Sequence, residues 1–205
     1  MNETPTAGRP RLVLASGSPR RRELLNALGI DFERRPADID ETPLPDEDPA
    51  VYVLRLAREK AARVAHAGEL VLAADTTVVL DGAILGKPAD GAEASGMLAR
   101  LAGREHVVLS GVALYQSEPS RETAAVETTR VRMAAMTAAE IDWYVATGEP
   151  MDKAGAYGIQ GFGALFVEQV FGNYTNVVGL PLPLMRRLFA QIGQPLEGYS
   201  RPGRG

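Results

Sequence analysis

Residues 11–25, RLVLASGSPRRRELL, decide the fold class of this chain because they change from strand to helix within a few residues. The run RLVLA at 11–15 is short and apolar, as expected of a buried strand. Ser18 then occupies the position of a helix N-cap and Pro19 the first helical position, which favours a helix near 19–28. A strand that leads through a tight turn into a helix predicts an α/β protein.

The hydrophobic pattern continues this alternation along the chain. Asp81-Gly82 lies between two apolar runs, which is a strong hairpin signal, and Thr137 and Glu140 have the spacing of a helix capping box. Hairpins among the strand–helix units indicate a mixed β-sheet flanked by helices rather than a purely parallel sheet. We predict strands at 11–15, 31–35, 70–74, 77–80, 83–85, 105–115, 121–135 and 164–171, and helices near 19–28, 49–66, 91–102, 138–147 and 181–192.

The length and composition suit one domain. The chain has 205 residues, of which 45% are apolar, so it can form a full hydrophobic core. There are no internal repeats and no composition break typical of a linker. We expect a domain at 11–192, a flexible N-terminal extension at 1–10 and a loose C-terminal tail at 193–205.

Charge and composition limit the partners. The net charge of −4 argues against a general nucleic-acid surface, which is normally basic. No apolar run approaches the ~20 residues of a membrane helix, and the polar start MNETPTAGRPR does not resemble a secretory signal. The absence of cysteine rules out disulfides and fits a reducing compartment. We therefore expect a cytoplasmic protein without nucleic-acid or membrane partners, in which a local basic cluster holds any bound anion.

The turn Ser16-Gly17-Ser18 and the arginines Arg20–Arg22 form the first candidate site. Free backbone N–H groups at a helix N-terminus attract anions. Cations in the first helical turn oppose the helix dipole, so three arginines there need another reason. One interpretation is a phosphate cradle, in which hydroxyls, amides and guanidinium groups bind phosphate oxygens. The alternative is an ordinary turn with a solvated arginine face.

The segment Asp75-Thr76-Thr77 is the second candidate, because an apolar strand is predicted to end there in a carboxylate. Polar residues at strand ends often line the working edge of an α/β sheet. A carboxylate that faces a triphosphate implies a divalent cation between them, and oxygen ligands suit Mg²⁺ or Mn²⁺. A turn-forming aspartate is the alternative.

Two lysines and a glycine-rich segment complete the candidates. Lys60 interrupts an apolar helical stripe, where a lysine alone would reach out to water, and Lys87 follows the predicted hairpin. If both converge on one pocket, they neutralise phosphate charge. In residues 152–163, DKAGAYGIQGFG, Gln160 carries a donor and an acceptor that can read a base edge, although the segment also suits a plain connector. His66 and His106 lack ligand spacing and are interpreted as bystanders.

At these same residues the chain resembles the Maf family of nucleoside triphosphate pyrophosphatases. Three motifs carry the resemblance, in the family's order: LVLASGSPRRRELL (12–25), AADTTVVLDGAILGKP (73–88) and DKAGAYGIQGFGALFVEQVFGNYTNVVGLPL (152–182). The resemblance covers roughly residues 11–192. It implies an elongated Maf- and ITPase-like α/β fold with two lobes around a central cleft, a divalent cation (Mg²⁺ or Mn²⁺) and a homodimer. The form DKAGAYGIQG is similar to the subgroup that prefers dTTP and UTP.

The resemblance also assigns roles to individual residues. It implies that Asp75 is the catalytic base and that Glu41 is its partner in binding metal, with Asp38 and Asp40 as neighbouring alternatives. The other matching positions are Lys60 and Lys87 as catalytic lysines, Ser16, Ser18, Arg20 and Arg21 in the phosphate-binding turn, and Arg20, Thr76 and Gln160 for the choice of base.

The resemblance therefore implies hydrolysis of dTTP, UTP or modified pyrimidine nucleotides to the monophosphate and pyrophosphate. Two alternatives stay open at this point. One is a nucleotide-binding regulator of cell division without significant turnover, which the family's original description as septum-formation inhibitors suggests. The chain is less well explained as a nucleotidyltransferase, because that class usually has more glycines in its first turn.

Overall fold

Seven strands form one mixed sheet in the computed structural model, which describes residues 9–200. Their order across the sheet is β2-β1-β3-β5-β6-β7, with β4 paired to β3. β1 runs parallel to β2 and β3, and the remaining pairs are antiparallel, which confirms the predicted mixed sheet. The strands are β1 (Arg11–Leu14), β2 (Glu33–Arg34), β3 (Glu69–Leu80), β4 (Ala83–Leu85), β5 (Glu105–Gln116), β6 (Arg121–Met133) and β7 (Val167–Phe171).

The helices largely follow the predicted pattern. The short helix α5, capped by Asn173, was not predicted, and a 3₁₀ helix at Gly161–Phe166 replaces the start of the predicted last strand. Within residues 9–200, no helix combines the length and apolar character needed to cross a bilayer. The helices are α1 (Pro19–Ala27), α2 (Pro49–Val64), α3 (Gly91–Leu101), α4 (Ala138–Ala146), α5 (Tyr174–Val178) and α6 (Leu182–Gln191).

Two main apolar cores lie at opposite ends of the sheet. In the first, Leu14 and Leu25 pack with Phe189 of α6. In the second, Leu98 of α3 and Tyr144 of α4 pack against the far ends of β3, β5 and β6. Each large apolar side chain buried in this way contributes about 1.5–3 kcal/mol. The two cores form two lobes, and the cleft between them is lined from both sides.

Strand β3 differs from the prediction because it does not end at Asp75. It continues to Leu80 and stays paired with β5 from Val71 to Val79. β1, by contrast, accompanies β3 only as far as Leu72. Asp75 therefore lies in mid-strand, just beyond the end of its parallel neighbour, and the cleft opens at that point.

The chain after α6 is packed against the first lobe as far as the structure describes it, which differs from the expected loose tail. Tyr199 is buried, and its ring lies 5.6 Å from that of Phe189. Ser200 forms an antiparallel bridge with Ile30. Residues 201–205, together with residues 1–8 of the expected N-terminal extension, lie outside the described residues.

Candidate active site

The cleft between the lobes has a volume of about 880 Å³, which is typical of small-molecule and cofactor sites and is large enough for a nucleotide. Among the described residues, five cationic side chains and three carboxylates line it, so a locally basic surface exists within an acidic protein. The structure brings all ten sequence-predicted site residues to this cleft: Ser16, Ser18, Arg20, Arg21, Glu41, Lys60, Asp75, Thr76, Lys87 and Gln160.

The turn between β1 and α1 presents open backbone donors. The Ser16 hydroxyl accepts a hydrogen bond from the Ser18 N–H at 3.1 Å, which closes the turn. Ser18 is the N-cap, but its side chain makes no capping hydrogen bond, and the first turn contains no acidic residue. The helix N-terminus therefore keeps the uncapped N–H groups and positive dipole end that favour an anion.

Arg21 is held in place by three protein acceptors. Its Nε donates to the Gly179 carbonyl at 2.8 Å, and its two terminal nitrogens donate to the hydroxyls of Ser16 and Thr76, each at 3.1 Å. Burial lowers the pKa of Arg21 from its ordinary value, although the negative charge of Asp75 opposes this shift. A guanidinium has five N–H bonds, and contacts with residues 9–200 use three of them, which leaves two for an anion in the cleft.

Arg34 supports the same turn from outside the cleft lining. Its Nε donates to the Ser16 carbonyl at 3.3 Å, and Nη2 donates to the Gly17 carbonyl at 3.2 Å. These bonds hold both carbonyl groups toward the arginine. Sequence reasoning missed Arg34, because a side chain that binds backbone carbonyls leaves no pattern of residue types.

The Lys60 ammonium lies between two carboxylates. Its Nζ is 2.7 Å from Asp75 Oδ1 and 2.6 Å from Glu41 Oε1. Lys60 and Asp75 are each 7% exposed, so the lysine does not reach out to water as expected for it alone. Desolvation raises the pKa of Glu41, but the hydrogen bond and charge of Lys60, with Lys87 and Arg21, outweigh it and leave the pKa below its ordinary value.

A close approach of α2 to the sheet allows Lys60 to make these contacts. Gly111 of β5 is the cross-strand partner of Asp75, and a Cβ atom there would overlap the Val53 carbonyl of α2. Ala57 and Ala61, also on α2, pack against other small and branched side chains of the sheet. Small residues on both surfaces therefore bring the helix, and Lys60 with it, against the strand that carries Asp75.

The acid-rich loop contributes one carboxylate to the cleft. Glu41 lines it, whereas Asp38 and Asp40 do not, and Asp40 instead accepts a hydrogen bond from the Thr42 N–H. The Tyr52 hydroxyl donates to the Glu41 carbonyl at 2.9 Å and so holds this part of the loop on α2. Of these three acids, Glu41 is the one that lines the cleft.

The protein supplies part of a ligand set for a divalent cation in the cleft. Within residues 9–200, no cluster of three or more His, Cys, Asp or Glu side chains could hold a metal by itself. Glu41 and Asp75 nevertheless converge on one point, since both bind the Lys60 ammonium. Mg²⁺ is commonly held by one or two carboxylates together with substrate phosphates and water, so this pair fits such an ion.

The opposite wall of the cleft carries Lys87 and Gln160, together with Asp152 and Lys153. Arg20 reaches across the cleft to Asp152, with Nη1 and Oδ2 3.0 Å apart, and Lys153 also pairs with Asp152. Lys87 and Gln160 are exposed. Cationic and amide groups thus face the phosphate turn from the second lobe.

The two histidines do not line the cleft. His106 is buried, and its Nε2 lies 2.7 Å from the hydroxyl of Tyr157, which does line it. Burial lowers the pKa of His106 to about 4, so the ring is neutral at pH 7. His66 is on the surface beside Arg35.

The chain matches a family model and curated relatives over most of its length. The family model described as Maf-like protein matches residues 11–192. A protein of Anaeromyxobacter dehalogenans named dTTP/UTP pyrophosphatase is 56% identical over 94% of this chain and 99% of its own length. A protein of Symbiobacterium thermophilum with the same name is 51% identical over 91% of this chain and 96% of its own length.

Among solved structures, the Staphylococcus aureus Ham1 protein aligns with 93% of both chains at a TM-score of 0.46 and 14% identity. The family match spans both lobes and every residue of the cleft. The curated relatives are aligned over nearly their whole lengths. The chain therefore belongs to the family of Maf-like proteins.

Proposed function

We propose that this protein hydrolyses dTTP and UTP to the nucleoside monophosphate and pyrophosphate. One observation carries the proposal: a buried carboxylate, Asp75, is held by Lys60 beside an arginine-rich helix N-terminus in a cleft of nucleotide size. The relatives named dTTP/UTP pyrophosphatase support the same substrates. Binding alone does not require a carboxylate in a site for an anion, so the arrangement favours hydrolysis.

The phosphate chain binds between the turn that follows β1 and the cationic side chains of the cleft. Open N–H groups of the turn and the two uncommitted N–H bonds of Arg21 bind phosphate oxygens on one side. Arg20 lies beside Arg21 in the first turn of α1, and Lys87 lines the cleft after β4. Fixed cations of this kind stabilise the charge that accumulates on the departing pyrophosphate, and each such contact is worth about 3 kcal/mol in the transition state.

Asp75 is the group that accepts the proton of the attacking water. Lys60 occupies its Oδ1, and within the described residues no hydrogen bond is made to Oδ2, which leaves that oxygen for water. Water forms a bond to the α-phosphorus while the bond from this phosphorus to the bridging oxygen breaks. The proton passes to Asp75, and pyrophosphate leaves with the electron pair of the broken bond.

Glu41 and Asp75 would hold a divalent cation, Mg²⁺ or Mn²⁺. Such an ion supplies charge neutralisation between the carboxylates and the triphosphate, and it orients substrate. The pKa of Glu41, lowered against the effect of desolvation, keeps that carboxylate charged at neutral pH. Lys60 fixes the spacing of the two acids by binding both.

Base choice is assigned to Gln160, with Thr76 and Arg20. Uracil and thymine present a carbonyl next to an N–H, which an amide side chain can match with two hydrogen bonds. Gln160 is exposed to the cleft, and its side chain makes no hydrogen bond within residues 9–200. It is therefore free to pair with a base.

A panel of nucleotides tests this function. The purified protein is incubated with Mg²⁺ or Mn²⁺ and each canonical NTP and dNTP, and the products are separated by chromatography. Metal-dependent formation of UMP and dTMP with pyrophosphate, and little product from purines, is the expected result. Formation of a diphosphate with orthophosphate would contradict cleavage between the α- and β-phosphates.

We also propose that the protein is a homodimer. An exposed apolar surface formed by Trp143, Phe162 and Leu165 supports this proposal, since a second copy would remove it from water. Light scattering tests it: a mass of twice 21.9 kDa is expected, and a monomer at micromolar concentration would contradict it.

A further inference from the structure

The loop that carries Gln160 is anchored on both sides by two side chains that do not line the cleft. Before Gln160, the Gly158 N–H donates to the Tyr144 hydroxyl at 3.1 Å. After it, the Phe162 and Gly163 N–H groups donate to the Glu149 carboxylate at 2.9 and 3.0 Å. The loop therefore depends on α4 and on the 3₁₀ helix at Glu149–Asp152 that follows it.

The two anchors form one unit. The Tyr144 hydroxyl donates to Glu149 Oε1 at 2.8 Å, so Oε1 accepts from both this hydroxyl and the Gly163 N–H. Three protein donors thus satisfy this carboxylate, which is only partly exposed. Desolvation raises the pKa of Glu149, but its backbone hydrogen bonds and Tyr144 outweigh this effect and leave the pKa lowered.

The glycines of the loop fit closely against this pair. A Cβ atom at Gly161 would overlap the Glu149 carboxylate, and one at Gly163 would collide with the Tyr144 hydroxyl. Gly161 also has a φ of 70°, a conformation that disfavours other residues. Close packing and hydrogen bonds together restrain the backbone on both sides of Gln160.

We propose that Glu149, with Tyr144, is a positioning residue for base selectivity, which acts by fixing the backbone that presents Gln160 to the pyrimidine. The inference rests on the proposed function, since it takes the occupant of the cleft to be a pyrimidine nucleoside triphosphate. A freely rotating side-chain amide can flip, which exchanges its donor and acceptor, and so pair with cytosine as well as uracil. Discrimination therefore depends on where the loop places this amide relative to the base, and the anchors fix the backbone on both sides of Gln160.

The test compares Glu149→Gln, Tyr144→Phe and Gln160→Ala with the double variant Glu149→Gln/Gln160→Ala. Glu149→Gln places an NH₂ group against backbone N–H groups, and Tyr144→Phe removes one anchor without adding a clash. The affinities for non-hydrolysable α,β-imido analogues of dTTP and dCTP are measured by calorimetry. Their ratio reports selectivity whether or not turnover occurs, while product analysis of dTTP hydrolysis tests the proposed function separately.

The ratio is expected to fall by about tenfold in Glu149→Gln, the value of a mispositioned hydrogen bond, and by a smaller factor in Tyr144→Phe. The double variant is expected to match Gln160→Ala alone, because the anchor acts only through that residue. An unchanged ratio in both anchor variants, or an additive loss in the double variant, would overturn the proposal. If Glu149→Gln does not fold, Tyr144→Phe alone decides it.

A matched control separates selectivity from stability. Glu140 caps the start of α4, where its carboxylate accepts the Thr137 N–H at 2.7 Å. Glu140→Gln removes the charge of a carboxylate that binds a backbone N–H at the start of α4, and it does not touch the loop that carries Gln160. Its melting temperature is expected to fall while its affinity ratio stays at the wild-type value, and a changed ratio would count against the proposed mechanism.

Discussion

Replacement of Asp75 by asparagine separates the chemistry of the cleft from its stability. The amide keeps the size of the carboxylate but loses its charge and its basicity. Lys60 remains paired with Glu41 at 2.6 Å, so no buried cation is left alone. The expected loss in unfolding free energy is that of a charged hydrogen bond, about 1.5–3 kcal/mol. For a domain of this size, a loss of 1 kcal/mol lowers the melting temperature by about 2–4 °C.

The catalytic effect of Asp75→Asn is expected to be larger than its effect on stability. Loss of a preorganised group at the reacting centre typically lowers kcat by about 100-fold or more. The assay is pyrophosphate release from dTTP at saturating substrate, together with a thermal melt of each protein. Near-normal turnover by a folded Asp75→Asn variant would refute the role assigned to Asp75.

Glu69→Gln is the matched control for this variant, because it makes the same chemical change at the start of the same strand. Glu69 is 3% exposed and binds Arg35 and Arg11 outside the cleft. We expect this variant to lose stability while it keeps kcat. If both variants lost kcat equally, general destabilisation of β3 would explain the result, and the catalytic role proposed for Asp75 would be contradicted.

Three further predictions concern the supporting structure. Hydrogen bonds from Arg35 and Arg11 hold the pKa of Glu69 at about 2 against an ordinary 4.5, so the unfolded chain binds more protons between these values. The stability that Glu69 provides is present above pH 4.5 and is lost as pH falls toward 2. The melting temperatures of wild type and Glu69→Gln should therefore converge over that range, and a difference in melting temperature that stays constant would contradict this. Arg34→Ala should lower kcat/KM for dTTP by about tenfold, because the two carbonyl groups of the phosphate turn lose their contacts with Arg34. The circular dichroism spectrum should be unchanged, and wild-type kinetics would show that Arg34 does not support the turn. Gly111→Ala should cost about 1–3 kcal/mol in urea unfolding, since its Cβ atom overlaps α2, and wild-type stability would show that the helix can move.

Much of the fold could be predicted from residue periodicity, but strand continuity at Asp75 could not. The polar sequence Asp75-Thr76-Thr77 suggests a strand end, because a strand is recognised by its apolar side chains. In the structure, backbone pairing with β5 carries β3 through these residues. The pairing is a tertiary interaction, and no local pattern reports it.

The site shows the same division between side-chain chemistry and tertiary placement. Residues with distinctive chemistry, such as Arg21 and Asp75, were recognised from motifs, and the structure brings them to one cleft. Arg34 and Glu149 were missed because they bind backbone groups of other segments. Lys60 was ambiguous alone, since only the close approach of α2 to the sheet brings its ammonium to two carboxylates.

The most direct test of the central claim is hydrolysis of dTTP in water labelled with ¹⁸O, followed by mass spectrometry of both products. Attack at the α-phosphorus predicts that the label appears in dTMP and that pyrophosphate stays unlabelled. Label in pyrophosphate would place the attack at the β-phosphorus and contradict the geometry assigned to Asp75 and the phosphate turn.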